Sequence, residues 1–292
     1  MLPDRPPAWK GGAALSIWNA ILLGIVQGVA EFLPISSSGH LSILQNLFHL
    51  QSAENGHMFF DVLLHLATLV SVCVAYRKEV RDIILEIISW FKRDLPQSRR
   101  PSDPRATRRL ILMIVLGTLP LFVAVFFNDL IEPLYYSTVF IGIALLLTGC
   151  MLYVSDRMIP GRKTEKSMRV RDALIVGVCQ AVAVIPGLSR SGTTITAGLS
   201  VGMNREYAVR FSFLLSIPAI LGANLISLIK AFKEGIDASL LPAYLVGMIV
   251  AGVVGYFSIE LLRRIARKGR FGGFAYYCWA VGLLAILLTV IL

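Results

Sequence analysis

The chain has 292 residues, of which 56% are hydrophobic and only 16% are charged. Soluble domains carry roughly 25% charged residues, so this composition excludes an ordinary soluble protein and indicates an integral membrane protein. The net charge of +10 does not indicate a nucleic-acid partner, because nearly all Lys and Arg residues fall in short loops between apolar runs. The four cysteines lie far apart within apolar runs, which predicts neither a disulfide framework nor a metal cluster.

Six apolar runs are long enough for a transmembrane helix, which needs about 17–25 residues. The apolar regions 13–50 and 172–203 are different, because Pro, Gly and Ser clusters interrupt each of them midway. Unwound backbone is tolerated at membrane depth only where protein or a wet cavity satisfies its polar groups. We therefore predict a re-entrant helical hairpin in each region, and not a signal peptide at the start of the chain. The six predicted spans are 59–76, 110–128, 136–154, 210–230, 240–262 and 272–292.

The two interrupted regions are also similar to each other. Residues 24–39 align without gaps on residues 177–192, with seven identities in sixteen positions that include one Gln, two Ser and two Gly. Three predicted spans separate the hairpins, and because three is odd, the second half must be inserted upside down. The predicted fold is an all-α polytopic membrane protein with an inverted-topology repeat, forming a single membrane domain over 1–292. Repeat one covers approximately 13–155, and repeat two covers approximately 172–292.

Basic residues agree with this topology. Segments 77–109, 157–171, 205–210 and 263–270 all fall on one side, and they hold 23 of the 28 Lys and Arg residues. The basic side of a membrane protein is expected to be cytoplasmic, which places both termini outside. The apolar piece 83–91 is too short to span a bilayer, so it predicts an interfacial helix.

Ionisable residues are few within the apolar regions, where they are costly and usually functional. Glu31 lies in the first break and Arg190 in the second, and the broken helices of inverted repeats converge near the midplane. We therefore expect the carboxylate and the guanidinium to share one pocket. The alternative is an ion pair that only holds the hairpins together, but such a pair would not require the hydroxyl groups around it. Those hydroxyl residues are Ser36, Ser37, Ser38, Ser189, Ser191, Thr193 and Thr194.

Each hydroxyl cluster stands just before an expected helix start, where free N–H groups and the positive end of the helix dipole bind anions such as phosphate. Arg190 adds a planar fork that can hold phosphate oxygens with two parallel hydrogen bonds. We expect Ser36 and Thr193 to be plain N-caps. The remaining hydroxyls and Arg190 predict an oxyanion site.

Residue spacing predicts catalysis as well as binding. Gln27 and Glu31 are four residues apart and share one helix face, and Ser37 and His40 are three residues apart. A serine beside a histidine and a carboxylate supplies a nucleophile, a proton-transfer partner and an orienting or metal-binding group. His49 is interpreted as structural, and His65 has at most a minor role. These residues predict phosphoryl chemistry on a membrane-embedded substrate.

The motifs Q-G-V-A-E-F-L-P-I-S-S-S-G-H (27–40) and P-G-L-S-R-S-G-T-T (186–194) resemble the two signatures of the undecaprenyl-diphosphate phosphatase family of the bacitracin-resistance type. The segment R-F-S-F-L-L-S-I-P (210–218) is also similar to that family, and the resemblance covers roughly 14–292. It implies hydrolysis of undecaprenyl diphosphate to undecaprenyl phosphate, which recycles the lipid carrier for peptidoglycan and confers bacitracin resistance. It also implies a bacterial inner-membrane protein whose active site opens to the periplasmic side and which requires Mg²⁺ or Ca²⁺. The partners are then the bilayer and the polyprenyl diphosphate, and a homodimer is left open.

The resemblance also implies roles for individual residues. It assigns catalytic roles to Glu31, Ser37, His40 and Arg190. Gln27 stands where many members carry a second glutamate, so Glu31 would bear most of the metal binding, with Gln27 and Asp61 as weaker candidates. The implied substrate-binding residues are Gln27, Ser189, Arg190, Ser191 and Thr194.

The hypothesis for the mechanism is attack by Ser37 on the terminal phosphorus, with His40 and Glu31 handling protons. An alternative makes His40 the nucleophile. A lipid-phosphate flippase that uses the same pocket is a rival function, because inverted repeats with broken helices are common in transporters. The lipid acid-phosphatase type fits poorly, since no histidine follows Arg190 at the spacing which that family needs. A non-enzymatic scaffold would leave Glu31 and Arg190 unexplained.

Overall fold

A computed structural model describes residues 15–47, 56–92, 101–159, 161–234, 238–269 and 271–291. The described chain is helical, and its one β-type contact is an isolated bridge between Lys163 and Met203. The helices of the first half are α1 Ile17–Ala30, α2 Ser37–Leu47, α3 Gly56–Ala75, α4 Arg77–Phe91, α5 Pro104–Val125, α6 Asn128–Ile131 and α7 Thr138–Arg157. Those of the second half are α8 Val170–Val182, α9 Arg190–Ser200, α10 Arg205–Glu234, α11 Leu241–Lys268 and α12 Gly272–Ile291.

Five described helices are long and apolar enough to cross a membrane, namely α5, α7, α10, α11 and α12. A sixth is added if α3 and α4 are counted as one span, but these two helices meet at a bend of 90°. The prediction of an all-α polytopic membrane protein is therefore confirmed. The predicted span 59–76 corresponds to α3, and the predicted interfacial piece 83–91 is the second part of the longer helix α4.

The two predicted helix breaks are present. Between α1 and α2 the backbone leaves the helix over residues 31–36, and between α8 and α9 it does so over residues 183–189. The two helices of each pair pack on each other. Pro34 and Pro186 lie within the two breaks, where a residue without a backbone N–H cannot continue the helical hydrogen bonds.

Each broken helix pair also packs on a long helix of the other half of the chain. Helix α1 lies along α11, and α8 lies along α5. Glycines permit both contacts. A Cβ atom at Gly24 of α1 would meet the Gly247 carbonyl oxygen at 2.7 Å, and one at Gly177 of α8 would collide with the backbone of Gly117. Small residues allow this close approach between helices in membranes, which explains why glycine recurs at these two repeat-equivalent positions.

The largest buried cluster holds the first break in place. Phe32, which directly follows Glu31, is fully buried and packs edge-to-face on Phe213 of α10, with ring centroids 5.5 Å apart. Leu33 and Ile35 are buried in the same cluster. These apolar side chains therefore hold the polar turn between α1 and α2 in place, and they hold Glu31 with it.

Candidate active site

Glu31 is the centre of a polar cluster at the first break. It directly follows the last residue of α1 and is only 6% exposed. The Gln27 amide donates to Glu31 Oε2 at 3.1 Å, as expected for two residues one helical turn apart. The Ser37 hydroxyl, at the start of α2, donates to the same oxygen at 2.7 Å. A serine hydroxyl bonded to a carboxylate has an acceptor for its proton already in place.

Arg190 reaches this cluster from the second break. It is the first residue of α9, and its Nη2 donates to Glu31 Oε1 at 2.7 Å. The expected meeting of the carboxylate and the guanidinium is therefore found. A buried carboxylate needs such a partner, because an unpaired charge costs several kcal/mol at low dielectric. Arg190 is 21% exposed, so its guanidinium is also within reach of a ligand.

A histidine that the sequence analysis gave little weight lies beside Glu31. His65 Nε2 is 3.8 Å from Glu31 Oε2, and His65 Nδ1 is 2.8 Å from the Asp61 carbonyl oxygen. The Asp61 carboxylate itself accepts hydrogen bonds from the Gln45 amide at 3.0 and 3.1 Å. His65 thus contacts the carboxylate directly, whereas Asp61 is bound to another side chain. No sequence pattern connects His65 with Glu31, since the two residues lie in different structural elements and 34 positions apart.

His40 does not pair with Ser37, although the two are three residues apart. Its Nδ1 is 2.8 Å from the Ser36 carbonyl oxygen, and its Nε2 is 2.9 Å from the Tyr277 hydroxyl on α12. Both ring nitrogens therefore have partners other than Ser37. Tyr277 was missed by the sequence analysis, since no local pattern connects residues 237 positions apart.

The serine turn before α2 has an unusual backbone. Ser36 has a φ of +73°, in the left-handed region that residues other than glycine rarely adopt. Its hydroxyl accepts a hydrogen bond from the Gly39 N–H at 3.2 Å, which confirms the expectation that Ser36 caps this helix. Strained residues of this kind cluster at functional sites.

The second hydroxyl cluster mainly holds its own break together. Ser189 is the N-cap of α9, where its hydroxyl accepts from the Gly192 N–H at 3.1 Å. The Ser191 hydroxyl lies 3.2 Å from that of Ser189, and the Thr194 hydroxyl lies 2.5 Å from that of Ser212. These three predicted phosphate ligands are thus buried and bonded within the protein.

The expectation that Thr193 is an N-cap is wrong. Thr193 lies inside α9, because the helix begins four residues after the proline and Ser189 takes the capping position. A further residue missed by the sequence analysis supports this break from α7. The Thr148 hydroxyl donates to the Gly187 carbonyl oxygen at 3.2 Å and accepts from the Ser189 N–H at 3.2 Å. His49 lies outside the described residues.

The donor atoms around Glu31 fit a hard divalent cation. Mg²⁺ prefers oxygen ligands and is usually bound by one or two carboxylates together with water and substrate phosphates. Gln27 Oε1 is buried and has no hydrogen-bond partner in the described part of the chain, while the Gln27 amide nitrogen faces the carboxylate, so this oxygen is available as a ligand. The described residues contain no cluster of three or more His, Cys, Asp or Glu side chains arranged for a metal. The site therefore fits an ion held by few protein ligands, and not a closed protein cage.

Comparison with known proteins gives consistent matches over nearly the whole chain. The family model described as bacitracin resistance protein BacA matches residues 20–284. A protein of Methanosphaera stadtmanae named undecaprenyl-diphosphatase is 42% identical over 289 residues, covering 95% of this chain and 100% of the relative. A protein of the same name from Halothermothrix orenii is 40% identical, covering 94% of this chain and 99% of the relative. The region matched by the family model includes both helix breaks and the Tyr277 position.

Proposed function

Because the chain belongs to the bacitracin resistance protein BacA family, we propose that it hydrolyses undecaprenyl diphosphate to undecaprenyl phosphate and inorganic phosphate. The observation that carries this function is the hydrogen bond between Ser37 and Glu31 beside the Glu31–Arg190 ion pair. A hydroxyl, a carboxylate and a guanidinium meet there at the two helix breaks, which supports Ser37 as the nucleophile and Glu31 as its proton acceptor. Hydrolysis returns the lipid carrier for peptidoglycan synthesis and removes the lipid that bacitracin binds, which gives resistance.

In the first chemical step, Ser37 Oγ attacks the terminal phosphorus of the substrate. The hydroxyl proton passes to Glu31 Oε2, which already accepts it in a hydrogen bond of 2.7 Å. The bond between the terminal phosphorus and the bridging oxygen breaks, and undecaprenyl phosphate leaves. Water then hydrolyses the phosphoserine and releases inorganic phosphate.

Arg190 stabilises the charge that develops on the phosphoryl oxygens. Its guanidinium has several N–H donors in one plane, of which the ion pair with Glu31 uses one nitrogen. Helix starts leave first-turn N–H groups without intrahelical partners, and those of α2 and α9 that the Ser36 and Ser189 hydroxyls do not cap would add donors to the site. Fixed donors at the site of developing charge are usually the largest contribution to such catalysis.

Ser37 is the better nucleophile of the two that the sequence analysis left open. The Tyr277 hydroxyl occupies His40 Nε2, the nitrogen that would have to attack phosphorus. Ser37, in contrast, is bonded to a proton acceptor. The roles of Ser189, Ser191 and Thr194 as phosphate ligands stay predictions, and their hydroxyls would have to leave their present partners to take them.

Glu31 and Gln27 are the residues that would hold the divalent cation. When bound there, Mg²⁺ or Ca²⁺ would neutralise negative charge on the diphosphate. Asp61 stays a weaker candidate, because its carboxylate is bonded to Gln45.

The topology that we propose has six transmembrane helices and two re-entrant hairpins in inverted halves, with the basic loops in the cytoplasm. The exchange of packing partners between the halves, α1 on α11 and α8 on α5, supports it. The site would then open to the outer side of the plasma membrane, with both termini outside. Helix α4, perpendicular to α3, would lie along the cytoplasmic surface, since it exposes both Trp90 and Phe91.

The test is phosphate release from undecaprenyl diphosphate by purified protein in detergent, with and without EDTA. Wild type should release phosphate, and Glu31→Ala and Arg190→Ala should lose nearly all of this activity. A matched control is Glu260→Gln, which removes another carboxylate that is 2.7 Å from an arginine, Arg263, outside the site. Wild-type protein that releases no phosphate would contradict hydrolysis and would favour a pure flippase.

A further inference from the structure

Tyr277 and His40 form a contact between the last helix of the chain and the first hairpin. The Tyr277 hydroxyl lies 2.9 Å from His40 Nε2. The two rings are nearly parallel, with an angle of 9° between their planes and 5.6 Å between their centroids. This contact joins the second half of the chain to the helix that begins with Ser37.

The hydrogen bonds of His40 define which ring nitrogen carries the proton. Its Nδ1 is 2.8 Å from the Ser36 carbonyl oxygen, and a carbonyl oxygen can only accept. In the neutral imidazole, Nδ1 therefore carries the hydrogen and Nε2 is the acceptor. The Tyr277 hydroxyl must then donate to Nε2.

The strained turn at Ser36 contributes to the same arrangement. The Ser36 carbonyl oxygen accepts from the His40 backbone N–H at 3.3 Å as well as from its ring. Ser36 itself has the left-handed φ of +73°. His40 is therefore held on one side by a strained turn and on the other by Tyr277.

We propose that Tyr277 positions His40 for the hydrolytic step and carries the proton to it, because the Tyr277 hydroxyl donates a hydrogen bond to the unprotonated Nε2 of His40. This inference rests on the proposed function. Water attacks the phosphoserine, a bond forms between the water oxygen and phosphorus, and the bond from phosphorus to Ser37 Oγ breaks. The Tyr277 hydroxyl passes its hydrogen to His40 Nε2 and takes the water proton onto its own oxygen, and Ser37 Oγ recovers its proton from Glu31. A phenol hydroxyl both donates and accepts, so Tyr277 can carry the proton in this way and then accept a hydrogen bond from the protonated ring.

The neighbouring Tyr276 provides a matched control. It lies on the same helix, and its ring packs on Tyr153 and Trp279, away from His40. Both tyrosines are substantially exposed, Tyr277 by 43% and Tyr276 by 61%. Replacing either with phenylalanine removes one oxygen atom and preserves ring packing.

The kinetic test compares Tyr277→Phe with Tyr276→Phe in steady-state hydrolysis of undecaprenyl diphosphate. Tyr277→Phe should lower kcat by about 10-fold or more and leave KM within about 2-fold, since general acid–base catalysis contributes about 10²–10⁴-fold. Tyr276→Phe should keep both constants within about 2-fold of wild type. Equal kcat values for the two variants would overturn the inference. Wild-type protein that releases no phosphate would instead overturn the proposed function.

A spectroscopic test needs no active enzyme. NMR of protein labelled with ¹⁵N in its histidine rings, with His40 assigned by comparison with His40→Gln, reports which nitrogen carries the proton. Wild type should show the Nδ1–H form, and Tyr277→Phe should show an increased share of the Nε2–H form. An Nε2–H form in wild type, or a tautomer unchanged in Tyr277→Phe, would overturn the positioning role.

Discussion

Glu31 Oε1 and Arg190 Nη2 lie 2.7 Å apart, although 159 residues separate them in the chain. Each residue belongs to one of the two repeat-related helix breaks, and each break is fixed by its own apolar or hydroxyl contacts. The ion pair therefore shows that the two breaks lie side by side in the folded chain. It also leaves one carboxylate oxygen, Oε2, for Ser37.

Arg190→Lys should lower kcat/KM by about 100-fold or more. A lysine can keep an ion pair with Glu31, but a point charge cannot replace a planar fork on phosphoryl oxygens. The measurement is phosphate release over a range of substrate concentrations. Arg263→Lys, in an ion pair outside the site, should retain near-normal turnover. Near-normal turnover by Arg190→Lys would show that the planar guanidinium of Arg190 is not needed for catalysis.

Ser37→Ala should lower kcat by about 10³-fold or more, because it removes the nucleophile and leaves the rest of the pocket intact. Ser42→Ala makes the same change at a buried position on the same helix, and it should keep kcat within about 5-fold. If both variants turned over at similar rates, Ser37 could not be the attacking group.

Gln27→Leu should raise the Mg²⁺ concentration needed for half-maximal activity by about 10-fold, because it removes an oxygen donor beside Glu31. The repeat-equivalent Gln180 is the matched control, since it is buried in α8 and its amide has no hydrogen-bond partner in the described part of the chain. Gln180→Leu should leave the Mg²⁺ dependence unchanged. Identical activation curves for wild type and Gln27→Leu would exclude Gln27 as a ligand.

Gly177→Ala should destabilise the protein by about 1–3 kcal/mol, as overpacking of a tight contact does. The added Cβ would collide with the backbone of Gly117, so α8 and α5 would have to separate. Thermal unfolding in detergent, followed by intrinsic fluorescence, measures the loss. Gly222→Ala, whose new Cβ would have no neighbour within 4 Å in the described part of the chain outside its own helix backbone, should unfold at or above the wild-type temperature. A wild-type melting temperature for Gly177→Ala would show that the contact is not tight.

The sequence was sufficient for the features that follow from local patterns. The helix breaks at 31–36 and 183–189 follow from Pro, Gly and Ser clusters, and the Gln27–Glu31 contact follows from helical spacing. The meeting of Glu31 with Arg190 followed from the repeat, since equivalent segments of inverted halves converge.

Contacts that depend on packing between distant helices could not be predicted in this way. Tyr277 on His40 and Thr148 on the second break join elements that no local spacing relates. The cap of α9 was misassigned to Thr193, because several hydroxyl residues in a row offer alternative helix starts and only the folded backbone selects one.

Identification of the phosphorylated residue tests the mechanism most directly. Protein mixed with undecaprenyl diphosphate labelled in its terminal phosphate is quenched within one turnover by SDS at neutral pH, digested and analysed by mass spectrometry, and a parallel sample is acidified to test the stability of the label. We expect an acid-stable phosphate on Ser37, absent from Ser37→Ala. An acid-labile phosphate on His40 would contradict the assignment of Ser37 as the nucleophile and of Glu31 as its proton acceptor.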